Sequence, residues 1–545
     1  MRKRTVFTGF LSLTLATGLA GCGTSPSKES GQAEKTPPAK ETPVQNLNTT
    51  GFPIVKEPIS LKIFAGKAAT TAANWNDLTL WKEYAKQSNI QVNFELVPFD
   101  GLAEKRNLVL TSNDLPDAFH TAQFPSTDLL KYGEQGVFIK LNDLIDKYAP
   151  NLKKLMEKNP EIKRAITMTD GNIYSFPTAV DPEFTTARTN NKMWLNKEWL
   201  AKLNLPEPKT TDELYNYLKL VKTTDLNGNG KLDEIPFGTG GGITPLVQYL
   251  RGSWGLGNRG AAHNLVDVDP KTNNIRFIPT DPKYKELLQY INKLYTEGLI
   301  DKDIFTIKSN EFLARGSQGL YGAMIATNPQ TLINKNEYIG GVAYTGPYGD
   351  HLFSLTRPAV SYPGSFVITN KNKNPEATVR WIDHFYGEEG VKLFLMGFKD
   401  VTYKELPDGS FDFVDEIKNN PKGLTVEQAL IQYLSWPGGR YPALVIQKYF
   451  KGAESLPTAT AATEKVKADI LKEVWPIFNY TLDENTRIQI LDKDINTYVT
   501  EWEAKFIFGD IPFTDWDKFV DNFKKLGLDE YLKLYNSAYQ RYLKS

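Results

Sequence analysis

Residues 60–98 read SLKIFAGKAATTAANWNDLTLWKEYAKQSNIQVNFELVP, and this stretch decides the fold class. Ser60 to Ala65 alternates apolar and polar side chains, the period of a half-buried strand. A loop of small residues runs from Gly66 to Asn74, followed by Trp75 and an amphipathic helical pattern from Asp77 to Gln87. Ile90 to Val97 alternates again. A second helical pattern, Gly101 to Leu110, leads into a turn and a third strand at Asn113 to Phe119. Strands alternating with helices of this length predict βαβ units and an open, mostly parallel sheet. In such sheets ligands sit outside the carboxyl ends of the strands. The loops 66–76 and 120–126 (HTAQFPS) are thereby singled out before any chemistry is considered.

Outward from this unit the chain is long. Its 545 residues exceed what a single core supports, so two lobes are expected. From about residue 180 helical patterns dominate: Lys197 to Leu203, Thr211 to Lys222, Tyr284 to Glu297, Pro375 to Tyr386 and Val426 to Leu434. Ser455 to Ser545 reads as several amphipathic helices, and no internal repeat of fixed period is present.

The N-terminus carries a different message. Arg2, Lys3 and Arg4 precede a short apolar run from Val6 to Leu19, the pattern of a secretory signal. Leu19-Ala20-Gly21-Cys22 resembles the lipobox of bacterial lipoproteins. The resemblance implies lipidation of Cys22, cleavage before it, and a mature chain held at the outer face of the cytoplasmic membrane. Two or more acyl chains, at about 0.8 kcal/mol per buried methylene, anchor stably. Residues 23–50 contain no aromatic and almost no large apolar side chain. Such a segment cannot offset its own ordering entropy and reads as a solvated spacer.

Composition excludes several classes of function. The chain has 64 basic and 64 acidic side chains; without the signal the balance falls near −3. That is no polycation for nucleic acid. Cys22 is the only cysteine, so no intramolecular disulfide forms. The four histidines (His120, His263, His351 and His384) are scattered and show no zinc-ligand spacing. No GxSxG, HExxH or triad motif supports an enzyme. A polysaccharide hydrolase or lyase is the weaker alternative, since a glycosidase needs only two well-placed carboxylates.

The sharpest chemical signal is Asp225-Leu-Asn227-Gly-Asn229-Gly230-Lys231-Leu-Asp233-Glu234. Hard oxygen donors recur at every second position, as a calcium ion with six to eight oxygens requires. The first half matches the start of an EF-hand loop. Position twelve is Pro236 instead of Glu, so a structural calcium site is expected and a sensor is not.

Taken in order, several segments resemble the family 1 extracellular solute-binding lipoproteins of ABC sugar importers, in particular the LplA-type and alginate-binding members. They are Met193 to Leu205, Pro208 to Leu214, the metal loop, Asn113 to Asp117, Gly171 to Pro177, Asn374 to Asp383, Trp502 to Gly509 and Asp515 to Asp517. The resemblance runs from about residue 58 to the C-terminus. It departs at Asn196, where many relatives carry a basic residue.

The family implies an α/β, two-lobed periplasmic-binding-protein-like fold of type II. Each lobe would be an open mixed sheet flanked by helices, with a helix-rich C-terminal lobe. The expected boundaries are 1–21 signal peptide, 22–57 lipid-anchored linker, 58–175 plus 340–410 N-terminal lobe, and 176–339 plus 411–545 C-terminal lobe. Interlobe crossings are expected near 176, 340 and 410. The implied role is capture of an oligosaccharide in the interlobe cleft and delivery to membrane permease subunits, by a monomer. A peptide ligand is the alternative binding role. Carried over residue by residue, the calcium ligands are Asp225, Asn227, Asn229, the Lys231 carbonyl, Asp233 and Glu234.

Sugar rings pair an apolar face with a hydroxyl rim, which Trp and Tyr planes and Asp, Asn, Gln and Arg groups recognise. Loop position and this chemistry nominate Asn74, Trp75 and Asn76 after the first strand, and His120 and Gln123 after the third. Tyr174 and Asp181 lie near the first expected crossing. Trp254 and the pair Trp436 and Arg440 stand in glycine-rich turns. Trp194, Trp199, Trp381 and Trp502 lie on helical patterns and are expected in the core; His263, His351 and His384 receive no role.

Overall fold

The computed structural model describes residues 45–69, 71–112 and 114–544. Cys22, the signal segment and residues 23–44 of the spacer lie outside the described residues.

In chain order the strands are β1 (Ile59–Lys67), β2 (Ile90–Pro98), β3 (Ala118–Phe124), β4 (Ser175–Val180), β5 (Lys192–Asn196), β6 (Ile235–Thr239) and β7 (Val266–Val268). They continue as β8 (Ile275–Phe277), β9 (Tyr321–Ala326), β10 (Tyr338–Gly340), β11 (Val360–Ile368), β12 (Tyr403–Glu405), β13 (Phe411–Phe413) and β14 (Leu444–Val445). Six build one mixed sheet in the order β14-β4-β11-β3-β1-β2, and four build another, β10-β5-β9-β6. Strands β7–β8 and β12–β13 are separate two-stranded ribbons.

β1, the first helix and β2 form close to the expected bounds, but β3 runs on to Phe124, so residues 120–124 of the expected 120–126 loop are strand. β1 runs parallel to β2 and to β3, with Ile63 opposite both Phe94 and Ala118. β2 is an edge strand, so Ile90, Val92, Phe94 and Val97 are buried while Gln91, Asn93 and Glu95 face water. β3 lies inside the sheet and is buried along almost its whole length. Trp81 stacks on Trp381 at 5.5 Å between ring centroids, which ties the first helix to the helix Pro375–Asp383. Trp194, Trp199 and Trp381 are core residues, and Trp502 packs at the margin of the second core.

The C-terminal helices add a second apolar layer to the core around the second sheet. The helix Leu482–Phe508 opens with a reciprocal Thr481–Glu484 capping box and ends at Gly509, whose φ of 96° suits a residue without Cβ. Phe506, Trp516, Phe519 and Phe523 interlock there.

Three segments pass between the two sheets: 181–191 after β4, 341–359 before β11, and 446–456 after β14. The third differs from the expected 410. Phe413, Ile417, Leu430, Trp436, Tyr441 and Tyr449 all pack in the first core, and β14 pairs with β4. The chain therefore stays with the first sheet for some forty residues longer, because that sheet needs an edge strand beside β4. The crossings are bonded to one another. Val180 N donates to Ala359 O at 2.8 Å, Asp181 N to Val445 O at 2.9 Å, and Arg357 N to Arg188 O at 2.8 Å.

Among the buried carboxyl groups of the described residues, Asp383 and Glu503 have raised pKa values. Asp383 accepts from Asn151 N, Leu152 N and the Asn151 amide, and burial raises its pKa to about 6. Glu503, on the long helix, accepts from the Tyr284 hydroxyl, and burial raises it to about 7. A carboxyl raised in the folded state adds stability below its unfolded value, about 4.5 for Glu, and loses it as pH rises through 7. Glu503→Gln should flatten this part of the profile. Between about pH 4.5 and 7 the melting temperature of the wild type should fall more steeply than that of the variant, as differential scanning calorimetry would read. Parallel slopes would show that Glu503 does not titrate in this range.

Candidate functional site

A cavity of about 530 Å³ lies between the two cores, a size within the range of small-molecule sites. The first core contributes the end of β3 and the loop after it, Gln123 to Thr127, together with Ser361 to Pro363 of β11. The second contributes Ala262, His263, Ile477, Phe478, Tyr480 and Tyr535. Asn485, Ile488, Gln489 and Asp492 complete the wall; their i, i+3, i+4, i+7 spacing turns one face of the long helix toward the space.

The first-core side is held in an unusual backbone shape. Thr121 and Gln123 both have φ of 52°, in the left-handed region that L residues seldom adopt. Two glycines permit it. A Cβ on Gly66 would come within 2.4 Å of Thr121 O, and one on Gly364 within 2.3 Å of Phe124 O. Arg106 then pins the loop. Its Nη1 donates to Ala122 O at 2.8 Å and Gln123 O at 2.9 Å, and its guanidinium covers the Phe124 ring at 4.6 Å.

Arg440, itself at φ 67°, donates from Nη1 to Gln123 Oε1 at 2.8 Å. Its guanidinium lies 4.9 Å from the Phe99 ring and 5.6 Å from that of Tyr362. Because Gln123 Oε1 faces a donor, the other end of the amide is the Nε2 donor, which is buried and has no protein partner. The cavity thus offers a spare amide donor and side-chain amides on the facing helix, beside the rings of Tyr362, Phe478 and Tyr535. That is the chemistry of a polar ligand with apolar faces.

His263 closes one end. Its Nε2 is 2.8 Å from Pro476 O, and a carbonyl only accepts, so Nε2 carries the proton. Nδ1 then accepts from the Tyr535 hydroxyl at 3.3 Å. Burial lowers the imidazole pKa to about 4, which keeps the ring neutral near pH 7.

Residues 69–392, more than half of the chain, match the model of the bacterial extracellular solute-binding protein family. The chain belongs to this family. Among its relatives is the fructooligosaccharide ABC transporter substrate-binding protein FusA of Streptococcus pneumoniae serotype 4. It is 30% identical over 519 residues, covering 92% of this chain and 94% of FusA. The polygalacturonan/rhamnogalacturonan-binding protein YtcQ of Bacillus subtilis is 25% identical, covering 84% and 88%. Structures of S. pneumoniae FusA with kestose, and of its EF-hand mutant with fructo-nystose, superpose with a TM-score of 0.70 at 28% identity. They cover 89% of this chain and all of theirs. As a solute-binding protein the chain adopts the two-lobed mixed α/β fold of its neighbours, and it is a binding protein, not an enzyme. Among the described residues no helix is long and apolar enough to cross a membrane.

The nominated ligand residues separate into distinct places. Gln123 lines the cavity and Arg440 stands directly behind it. Trp75, His120, Tyr174 and Trp436 do not line it; all four are buried in the first half of the molecule. Trp75 packs edge-on against Phe94 and His120, and burial lowers the His120 pKa to about 3. The Tyr174 ring occupies the space where Gly133 has no side chain, with its hydroxyl on Asp170. Trp436 rests on Phe450. Its glycine-rich turn folds the ring inward. Asn74 and Asn76 fasten a short turn to the backbone of Phe94. Asp181 sits in the first crossing and accepts from Glu183 N. Trp254 lines a different cavity, of about 370 Å³, with Asp212, Tyr290 and Thr345.

Several lining residues escaped the sequence reading. Tyr362 belongs to Ser361-Tyr-Pro-Gly364, which looks like a turn but is a bulged strand. The polar residues of the 485–492 face lie within a stretch read only as amphipathic helix. His263, which receives no role from its sequence context, lines the cavity.

The loop 225–234 has the shape of a cation cradle. Gly228 and Gly230 take φ of 76° and 78°. Asp225 accepts from the amides of Gly228, Asn229 and Gly230, and Asp233 accepts from the side-chain amides of Asn227 and Asn229. Glu234 is buried; Oε1 accepts from Leu226 N and Asn227 N, while Oε2 has no partner. A buried carboxylate oxygen without a donor is costly, and a bound cation would remove that cost, so the loop fits calcium. Among the described residues no three His, Cys, Asp or Glu side chains converge as a ligand set. The cradle depends on amide and carbonyl oxygens as well.

Burial of His263 generates a direct test. Because its folded pKa lies below the ordinary 6.5, stability is lost as pH falls from about 6.5 toward 4. Histidine-selective NMR should show this ring neutral, with the proton on Nε2, down to about pH 5. A ring titrating near its ordinary value would mean that it is open to water.

Proposed function

We propose that this chain is the extracellular, lipid-anchored receptor of an ABC importer, capturing an oligosaccharide between its two lobes and handing it unaltered to membrane permease subunits. The observation that carries the ligand class is the cavity. Its rings from both lobes suit the apolar faces of sugars, and the donors and acceptors beside them suit the hydroxyls. The FusA relative and its kestose complex support the same class. Cys22, in its lipobox-like context, is the attachment point, and the polar segment after it is the tether.

Binding at such a seam stabilises the closed arrangement by the difference in ligand affinity between the open and closed forms. The crossings at 181–191, 341–359 and 446–456 are where that motion is absorbed. Calcium has a structural part in this proposal. Asp225, Asn227, Asn229, the Lys231 carbonyl, Asp233 and Glu234 would hold it, and the ion would supply positive charge to a loop otherwise crowded with oxygens. The EF-hand variant made in FusA supports the reading.

Calorimetry of the mature protein against a panel of oligosaccharides and peptides tests the ligand class. An oligosaccharide should bind without turnover, and Tyr362→Ala or Gln123→Ala should weaken it at least about tenfold, or about 1.4 kcal/mol, with melting preserved. Tight binding of a peptide instead, or conversion of the glycan, would overturn the proposal. Separately, a chelator should lower the melting temperature and added calcium should restore it, because an ion bound only by the native state stabilises it. Glu234→Gln should blunt that response. Unchanged melting, with no metal by elemental analysis, would remove calcium from the account.

A further inference from the structure

We infer that the interlobe cavity selects uncharged saccharides and that Asp492 is the residue that enforces the selection. This rests on the oligosaccharide reading above and narrows it.

Among the described residues that line the cavity, Asp492 is the one formally charged side chain, since the His263 ring is neutral. It projects from the long helix, and its Oδ1 accepts from the Tyr531 hydroxyl at 2.9 Å. The same wall supplies no lysine or arginine to offset it. A carboxylate facing sugar hydroxyls accepts hydrogen bonds from them. A uronate brought to the same place would meet a like charge in a partly enclosed space, where water screens it poorly.

The nearby cations lie outside the lining of the cavity. Arg106 lies beneath the loop with two backbone carbonyls and Asp128 as partners. Arg440 spends Nη1 on Gln123 and is flanked by two rings. A second cavity of about 250 Å³ does contain Arg164, Arg541 and Lys544. It lies on the other side of Ile477 and Phe478, which wall both spaces. Between them Asn479 bonds across the lobes to Ala165 O and Thr167 O. Arg541 is committed to Glu484, and Arg164 stands over the Tyr542 ring. Rejection of the acidic analogue by a misplaced like charge is the economical route to such specificity.

The test uses the whole mature protein with neutral probes (kestose, nystose and cellotriose) and acidic probes (trigalacturonate and trimannuronate) at low and high salt. The tightest ligand should be uncharged, with the uronates at least about tenfold weaker at low salt, and salt should narrow the gap. Asp492→Asn should shift the uronate-to-neutral affinity ratio several-fold toward the uronates, whatever it does to neutral binding. Tyr531→Phe removes the hydrogen bond to Asp492 and keeps its charge, so it should leave the ratio in place. A uronate as the tightest ligand, or a ratio unchanged in Asp492→Asn, would overturn the inference. Binding of no saccharide in the panel would instead count against the oligosaccharide reading.

Discussion

The architecture depends on a small knot of backbone hydrogen bonds where three segments cross between the sheets. Val180 and Asp181 at the end of β4 donate to Ala359 on one side and Val445 on the other. Each donor would be expensive to leave unpaired, so the three segments leave the first sheet from one place. That fixes which edges of the two sheets face each other, and with them the positions of Gln123, Tyr362 and the long C-terminal helix. The cavity is a product of that meeting point as much as of the side chains lining it.

Legibility in the sequence followed the range of the interactions. β1 to β3 were readable because each strand's period is a local property, and the first helix carries its own apolar stripe. The third crossing was not. Its position depends on β14, a strand of two residues that exists only because β4 offers a free edge. No local pattern marks so short a strand.

The cavity was half legible for the same reason. Gln123 follows from the rule that ligands gather at the ends of parallel strands, and Arg440 bonds to it across more than 300 residues. Trp75 and Trp436 show the limit of reasoning from residue type. A Trp in a polar loop reads as a platform until the loop is seen to fold the ring inward. Asp492 and Gln489 were hidden by the opposite error. On an isolated helix their face belongs to water; here another lobe stands opposite.

The pairing of β14 with β4 also sets an order of events during synthesis. A chain emerging from its N-terminus has β1 to β4 early, yet the outer edge of β4 stays bare until Leu444 and Val445 arrive. More than two hundred and fifty residues must appear before that edge is covered. Until then the first core exposes unpaired backbone that can recruit a wrong partner. That edge is thus the last of the first sheet to be closed, after nearly half of the chain has followed β4.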